Sequence, residues 1–418
     1  MATSIAAANR EALDRLCRAR PAWTGMTTAR DGLGLTGRSL LHSGPPIAWE
    51  RMCPIMRGAV MCAAQYEGWA STPAEAEGQA ASGEIAFAPA HSRGAVAPMA
   101  GVISPGTPLI VVEDRANSST AWSFMGTGPG PQIRFGAHGP EALARLAWNR
   151  DVVAPAFQRV IEREGPVDLA AHMAQALAMG DEMHMRNAAS TALLTKALAG
   201  PLTAVVSDGK ELERILRFLT RDNDQHFLTW AMCAAKAAAQ AIEGIEGCTV
   251  VSTMARNGVE FGVRVAGLGD RWFTGPASVV AGSYFPGFSA ADANRDVGDS
   301  AIMETYGLGG MAMAASPAVT RIVGAPSVTD AIETTRRMGK ICVGRNPAYP
   351  IGVLDWEGTP TGIDIRKVVE TGIVPSINTA IAHRDLSVAR IIGAGIATPP
   401  LDPFVAALVA FGQARGRD

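Results

Sequence analysis

The chain has 418 residues, including 45 Gly and 26 Pro, and 48% of its side chains are apolar. Its 37 Lys and Arg against 39 Asp and Glu give a net charge of −2, which excludes nucleic acid as the main partner because phosphate contacts need a clustered basic surplus. The same figures exclude a disordered chain, a collagen-like repeat and a disulfide scaffold, and the length suggests two or three domains.

A helical pattern opens the chain over residues 6–18, and Arg10, Glu11 and Asp14 interrupt any apolar core of signal-peptide length. To about residue 150 the chain is then rich in Gly and Pro, with short strands predicted at 85–87 and 109–113 and a helix over 49–69. Between 140 and 243 the spacing is helical, over 155–164, 167–179, 181–198, 209–219 and 222–243. The small side chains from Ala231 to Ala241 let helix backbones approach closely, so that last helix is predicted to be central in its helical bundle. Strands return at 248–252 and 261–265, joined by an Arg256-Asn257-Gly258 turn. A helix over 328–338, a strand at 351–354, a helix or loop before Gly372 and a final helix over 403–414 follow. These patterns predict an α/β (α+β) multi-domain protein, with two mixed α/β lobes and a central all-helical domain. The divisions are an N-terminal α/β domain at 1–150, a helical domain at 151–245 and a C-terminal α/β domain at 246–418.

Cys17, Cys53, Cys62, Cys233, Cys248 and Cys342 form no CxxC pair and read as reduced thiols of a cytosolic protein. The most apolar stretches, 309–319 and 404–411, fall short of the ~20 residues that span a bilayer, so no membrane partner is expected.

Polar residues beside glycine turns mark the candidate chemistry. Asp181, His184 and Asn187 are three apart and share a stripe if the segment is helical. Such a stripe binds a small anion or shuttles a proton, or is simply structural. His226 stands at the start of the Ala-rich helix, where Asp222 or Asn223 supplies a cap. Arg256, Asn257, Glu260 and Arg264 lie in one hairpin, as structural pairs or as an Arg fork for a carboxylate or phosphate. Asp299 and Glu304 precede Gly307, Gly309 and Gly310, whose amides suit an anion. His383 and Arg384 follow Asn378 and Thr379 and offer an acid and a charge. No HExxH spacing supports a metal on His184, His226, Asp181 and Glu182, and no phosphate loop or dinucleotide fingerprint appears, so neither metal nor cofactor is expected. No GxSxG elbow or Cys–His signature supports a covalent nucleophile.

Several stretches carry a family resemblance: Leu41-His-Ser-Gly-Pro-Pro-Ile-Ala-Trp-Glu-Arg-Met, Pro98-Met-Ala-Gly-Val-Ile-Ser-Pro, Met179-Gly-Asp-Glu-Met-His-Met-Arg-Asn-Ala-Ala, Met254-Ala-Arg-Asn-Gly-Val-Glu-Phe-Gly-Val-Arg, Gly298-Asp-Ser-Ala-Ile-Met-Glu-Thr and Gly362-Ile-Asp-Ile-Arg-Lys-Val-Val-Glu. Together, over residues 30–410, the chain resembles the YlbE/YahG-like family, formerly a domain of unknown function, which includes the AllG subunit of oxamate carbamoyltransferase. The resemblance implies a multi-domain α/β protein with a helical insert. It also implies a place in anaerobic allantoin breakdown, where oxalurate and phosphate yield oxamate and carbamoyl phosphate. That relative works with two other subunits, one similar to acyl-CoA synthetases. The Ser-Thr-Arg-Thr phosphate loop of aspartate and ornithine carbamoyltransferases is absent, so carbamoyl chemistry here needs a different site.

The resulting expectation is an enzyme, or a subunit of one, that transfers a carbamoyl or acyl group of a small anionic ureido or amide metabolite. The tetrahedral oxyanion of such a reaction calls for cationic and amide donors. His184 is the expected acid or base, with Arg256 and Arg264 clamping substrate or phosphate. Asn187, Asn257, Glu260, Asp299, Glu304, His383 and the amides of Gly307, Gly309 and Gly310 are expected to bind substrate. An acyl-CoA-synthetase-like partner subunit and homo-oligomerisation fit this picture. The alternatives are a non-catalytic metabolite-binding subunit of a multi-protein complex and a metal-dependent amide hydrolase.

Overall fold

A computed structural model describes residues 4–126, 130–223, 225–324 and 327–416. It is an α/β structure built from several small sheets rather than one large one. The five-stranded sheet runs in the order Ala95–Val96, Ser119–Phe124, Pro108–Asp114, Pro21–Thr28, Val167–Asp168. A four-stranded antiparallel sheet has the order Phe273–Pro276, Glu260–Val265, Val251–Asn257, Val297–Gly298. Its central hairpin pairs Phe261 with Arg256 and Arg264 with Thr253, and it turns at Gly258 with φ 80°. Three further small sheets include the pair Ile377–Ala382 and Ile391–Ala397 and the parallel pair Ser39–His42 and Ala86–Pro89.

The Ala-rich helix, Leu228–Gln240, is buried from Thr229 to Ala239. It packs on the strands Ser119–Phe124, Pro108–Asp114 and Pro21–Thr28 and on the short helix Ile302–Thr305. Alanines make this possible, because a methyl group lets a helix lie close to a sheet on one side and another helix on the other. Trp230 closes the core edge-on to Trp23 and Phe157, at 5.4 and 6.0 Å between ring centroids. One core takes in this helix, the helices Ala154–Glu164, Leu169–Ala178 and Ala188–Val205, and also Trp23 and Tyr349. A second surrounds the helix Pro54–Tyr66, and a third lies between the hairpin and the helix Asp402–Arg415.

Several segments differ from their sequence patterns. The Ala-rich helix expected over 222–243 spans Leu228–Gln240 with Phe227, not Asp222 or Asn223, at its N-cap, and the strand expected at 248–252 is Val251–Asn257, so Arg256 and Asn257 lie in the strand. The pattern over 49–69 divides into a 3₁₀ turn, Trp49–Arg51, and the helix Pro54–Tyr66, because Pro54 favours an extended Cys53 before it and starts a new helix. The strand expected at 351–354 lies earlier, at Cys342–Ile351, and Gly352–Leu354 is a 3₁₀ turn. The helix expected over 181–198 begins only at Ala188 and runs to Val205. Gly180 has φ 96° and Met183 has φ 65°, both left-handed, so residues 181–187 cannot propagate a helix. Among the described residues no helix is long and apolar enough to cross a membrane.

Candidate functional site

Residues 296–304 form a spine along which three buried carboxylates each anchor a different element. Asp296 binds Arg256 through both oxygens, Nε to Oδ2 at 2.7 Å and Nη2 to Oδ1 at 3.0 Å. Arg256 also donates to the Gly298 carbonyl at 2.7 Å, to Ser300 and to Thr379 at 3.1 Å. Its guanidinium is thus directed wholly at protein groups and ties the hairpin to the spine. Asp299 accepts from the backbone N–H of Gly44 at 2.8 Å and of Ala97 at 2.9 Å. Gly298, at φ 124°, passes so close to Met99 that a Cβ would lie 2.7 Å from the Met99 nitrogen.

Glu304 meets His184. The His184 Nδ1 lies 2.8 and 3.0 Å from the two Glu304 oxygens, and both side chains are almost fully buried. An ionised carboxylate only accepts, so the pair places the proton on Nδ1 and leaves Nε2 for a reacting group. Glu304 Oε1 also accepts the backbone N–H of Gly310 at 2.9 Å and of Asn378 at 3.1 Å. The amides expected to cradle a ligand anion are thus all taken within the protein, Gly310 by this carboxylate, Gly307 by the Glu304 carbonyl at 3.1 Å and Gly309 by the Glu182 carbonyl at 2.7 Å. The glycines are required by crowding. A Cβ on Gly309, at φ 59°, would lie 2.1 Å from Glu304 Oε1, one on Gly310 would lie 1.9 Å from the Ser376 carbonyl oxygen, and one on Gly307 would lie 2.4 Å from Thr361.

The 181–187 loop is shaped by its own acids. Glu182 accepts the N–H groups of His184, Met185 and Arg186 and the amide of Asn378, at 2.5 to 3.2 Å. Those backbone hydrogens would otherwise serve a helix, which is why the predicted stripe of Asp181, His184 and Asn187 does not form. Asp181 instead accepts Ser190 N–H at 2.7 Å and pairs with Arg186. Met183, a non-glycine residue in the left-handed region, stands between Glu182 and His184, and strain of that kind concentrates at functional sites. Asn187 donates to the His184 carbonyl at 3.2 Å. The side-chain oxygens of Asn187 and Asn378 are buried, and neither has a hydrogen-bond partner among the described residues.

Burial pushes the Glu182 carboxyl up to about 7, against the nearby His184 and the N–H donors that favour its charged form. Its folded-state value stands above the ordinary 4.5, so this group destabilises the fold above pH 7, and the penalty fades as pH falls toward the ordinary value. The expected component is on the order of 3 kcal/mol. Thermal unfolding of the wild type and Glu182→Gln between pH 5 and 8 measures it: stability of the wild type falls more steeply with rising pH than that of the variant. Parallel curves would assign the titration elsewhere.

The other sequence-predicted residues lie apart from His184. Arg264 faces Glu243 and Asp270. Asn257 shapes its turn, accepting Val259 N–H at 3.0 Å and Glu260 N–H at 2.7 Å and donating to the Pro45 carbonyl. Glu260 pairs with exposed Arg51 at 3.1 Å. His383 accepts Asp385 N–H at 3.0 Å and packs edge-on to Phe288. Glu182 and Asn378 belong to the His184 cluster although the sequence reading gave them no such role. Two acids flanking the His in Asp181-Glu182-Met-His184 were the available signal, whereas Asn378 is reached only through tertiary folding. No group of three or more His, Cys, Asp or Glu among the described residues is placed to hold a metal.

Comparison with known proteins agrees with this architecture. The family model of oxamate carbamoyltransferase subunit AllG matches residues 85–300. The chain is 43% identical over 419 residues to oxamate carbamoyltransferase subunit AllG of Escherichia coli K12, covering 100% of both. It is 43% identical over 418 residues to the uncharacterised protein YahG of the same organism, covering 100% of this chain and 88% of YahG. A crystal structure of a conserved protein of unknown function from Enterococcus faecalis V583 superposes with a TM-score of 0.95 at 41% identity, over 98% of each chain. The chain is a member of the AllG and YahG family.

Proposed function

We propose that this chain is a subunit of a carbamoyl-transferring enzyme acting on a small anionic ureido compound, as oxalurate phosphorolysis to oxamate and carbamoyl phosphate requires. The observation that carries the reading is the company His184 keeps. An imidazole fixed by Glu304 shares a cluster with two buried amide oxygens, on Asn187 and Asn378, that lack partners among the described residues. A ureido or carboxamide group brings N–H donors that satisfy such oxygens, and a buried acceptor left unpaired costs about 1–3 kcal/mol.

In this reading a phosphate oxygen attacks the carbamoyl carbon, and the C–N bond to the departing oxamate nitrogen breaks. His184, doubly protonated against Glu304, gives its Nε2 proton to that nitrogen, and in the reverse direction it removes it. Arg256 acts by holding the 296–304 spine, and Arg264 is an anion contact. The name of the E. coli relative as a subunit supports activity in a complex with partner chains. The test is formation of carbamoyl phosphate from oxalurate and phosphate by this chain with its partner subunits. Turnover that needs this chain supports the proposal. Ligand-induced stabilisation without turnover in every subunit combination favours a binding-only subunit.

A further inference from the structure

A second cluster surrounds Asp299. His91 is fully buried, and its Nε2 is 3.4 Å from Asp299 Oδ1. Neither ring nitrogen makes a hydrogen bond to any described residue. Lys236 and Arg264 are close enough to act on this imidazole, and its edge faces the Trp272 ring at 6.1 Å. Lys236 is completely buried in the middle of the Ala-rich helix, with Glu243 at 2.9 Å as its ion-pair partner. Arg264 shares Glu243 at 3.4 Å, pairs with Asp270 and stacks over Trp272 at 5.9 Å, but its Nε has no partner among the described residues. Thr253 lies directly across from Arg264 in the hairpin, so both project from one face, and the Thr253 hydroxyl is also unpartnered.

An ammonium group in a helix whose other neighbours are alanines is costly to bury even when paired with Glu243, and Arg264 has Asp270 as a second carboxylate partner. Burial holds Lys236 below the ordinary lysine range and His91 below the ordinary imidazole range. Asp299 is already satisfied by two backbone N–H groups. Among the described residues there remain donors without a hydrogen-bonded acceptor, an imidazole N–H, a guanidinium Nε–H and a hydroxyl, beside two buried cations paired with Glu243 and Asp270. That inventory matches the oxygens of a small oxyanion.

We propose that His91, Lys236 and Arg264 form a phosphate-class oxyanion site, connected to the His184 cluster through the 296–304 spine. Assigning the anion as the phosphoryl group of the reaction rests on the carbamoyl-transfer reading; the oxyanion site itself does not. Calorimetric titration of the full chain, alone and with partner subunits, tests it with two probes, inorganic phosphate and phosphonoacetamide. The first reports free phosphate, and the second reports the phosphoryl end of a carbamoyl phosphate. Saturable binding of at least one probe is expected, weakened at least tenfold in both His91→Asn and Lys236→Met. In the turnover assay these variants raise the KM for phosphate at least tenfold and leave the KM for oxalurate within twofold. Wild-type protein that binds neither probe, or folded variants that retain affinity within twofold, overturn the site. Lys236→Met relieves a buried charge, so it keeps the test open if His91→Asn folds poorly. Phosphate binding lost in the variants without oxalurate turnover by the wild type upholds the site and removes the carbamoyl-transfer reading. Turnover with an unchanged phosphate KM does the reverse.

Discussion

Arg256→Ala is expected to lower the unfolding free energy by about 3–5 kcal/mol, the loss seen when one partner of a buried ion pair is removed. Arg256 and Asp296 are both buried, and the pair is bidentate. Truncation leaves the Asp296 carboxylate inside the protein with only Thr379 Oγ1, at 3.0 Å, as a remaining side-chain donor. It also strands the Gly298 carbonyl. Arg256→Lys should fall between, since one ammonium cannot span both Asp296 oxygens and the Gly298 carbonyl. Urea unfolding of the single variants and of Arg256→Ala/Asp296→Ala separates the pair from simple loss of packing: the double variant should be more stable than the sum of the single losses implies. A loss below about 1 kcal/mol in Arg256→Ala would place this pair in the range of ordinary exposed salt bridges and contradict its role in holding the spine.

His184→Ala is expected to reduce kcat for oxalurate phosphorolysis by about 10²–10⁴-fold, the usual contribution of a positioned acid or base. The fold should survive, because His184 contributes one side-chain interaction while the loop is held mainly by Glu182. Glu304→Gln should cost less, since an amide oxygen can still accept from Nδ1–H, Gly310 and Asn378 but stabilises the imidazolium poorly. It should also move the alkaline limb of the pH–rate profile to lower pH, because His184 acts in its protonated form in this direction, and a purely structural effect would leave that limb in place. Steady-state kinetics of the reconstituted complex measure both variants. Activity of His184→Ala within about threefold of wild type would remove the residue from the chemistry.

The sequence made the regular elements legible where one period dominated. The first helix, Ile5–Arg18, the last, Asp402–Arg415, and the hairpin at Gly258 fall where apolar spacing and turn residues place them. The burial of the Ala-rich helix was readable from side-chain size, but its small face packs chiefly on a β-sheet and not in the helical bundle expected of it. Residues 181–187 were misread as helix for a physical reason: Glu182 takes the amide hydrogens, and Met183 accepts a left-handed backbone that its side chain disfavours. Neither is visible in local propensity. His184 and Glu304 are 120 residues apart in the chain, and Glu182 and Asn378 are 196 apart, so only the tertiary fold brings these pairs together. Lys236 carried a readable sign, a lone charge inside a run of alanines, but its partners Glu243 and Arg264 depend on how the helix meets the hairpin.

His184, Asn187, Asn378 and Glu304 are expected together to receive the ureido or amide end of the substrate. The most direct measurement is a crystal structure of the protein, with its partner subunits, grown with oxamate. Oxamate is expected with its amide nitrogen within hydrogen-bonding distance of the Asn187 or Asn378 side-chain oxygen and one polar atom on His184 Nε2. Oxamate bound elsewhere, with these two oxygens and the imidazole untouched by ligand, would contradict the claim.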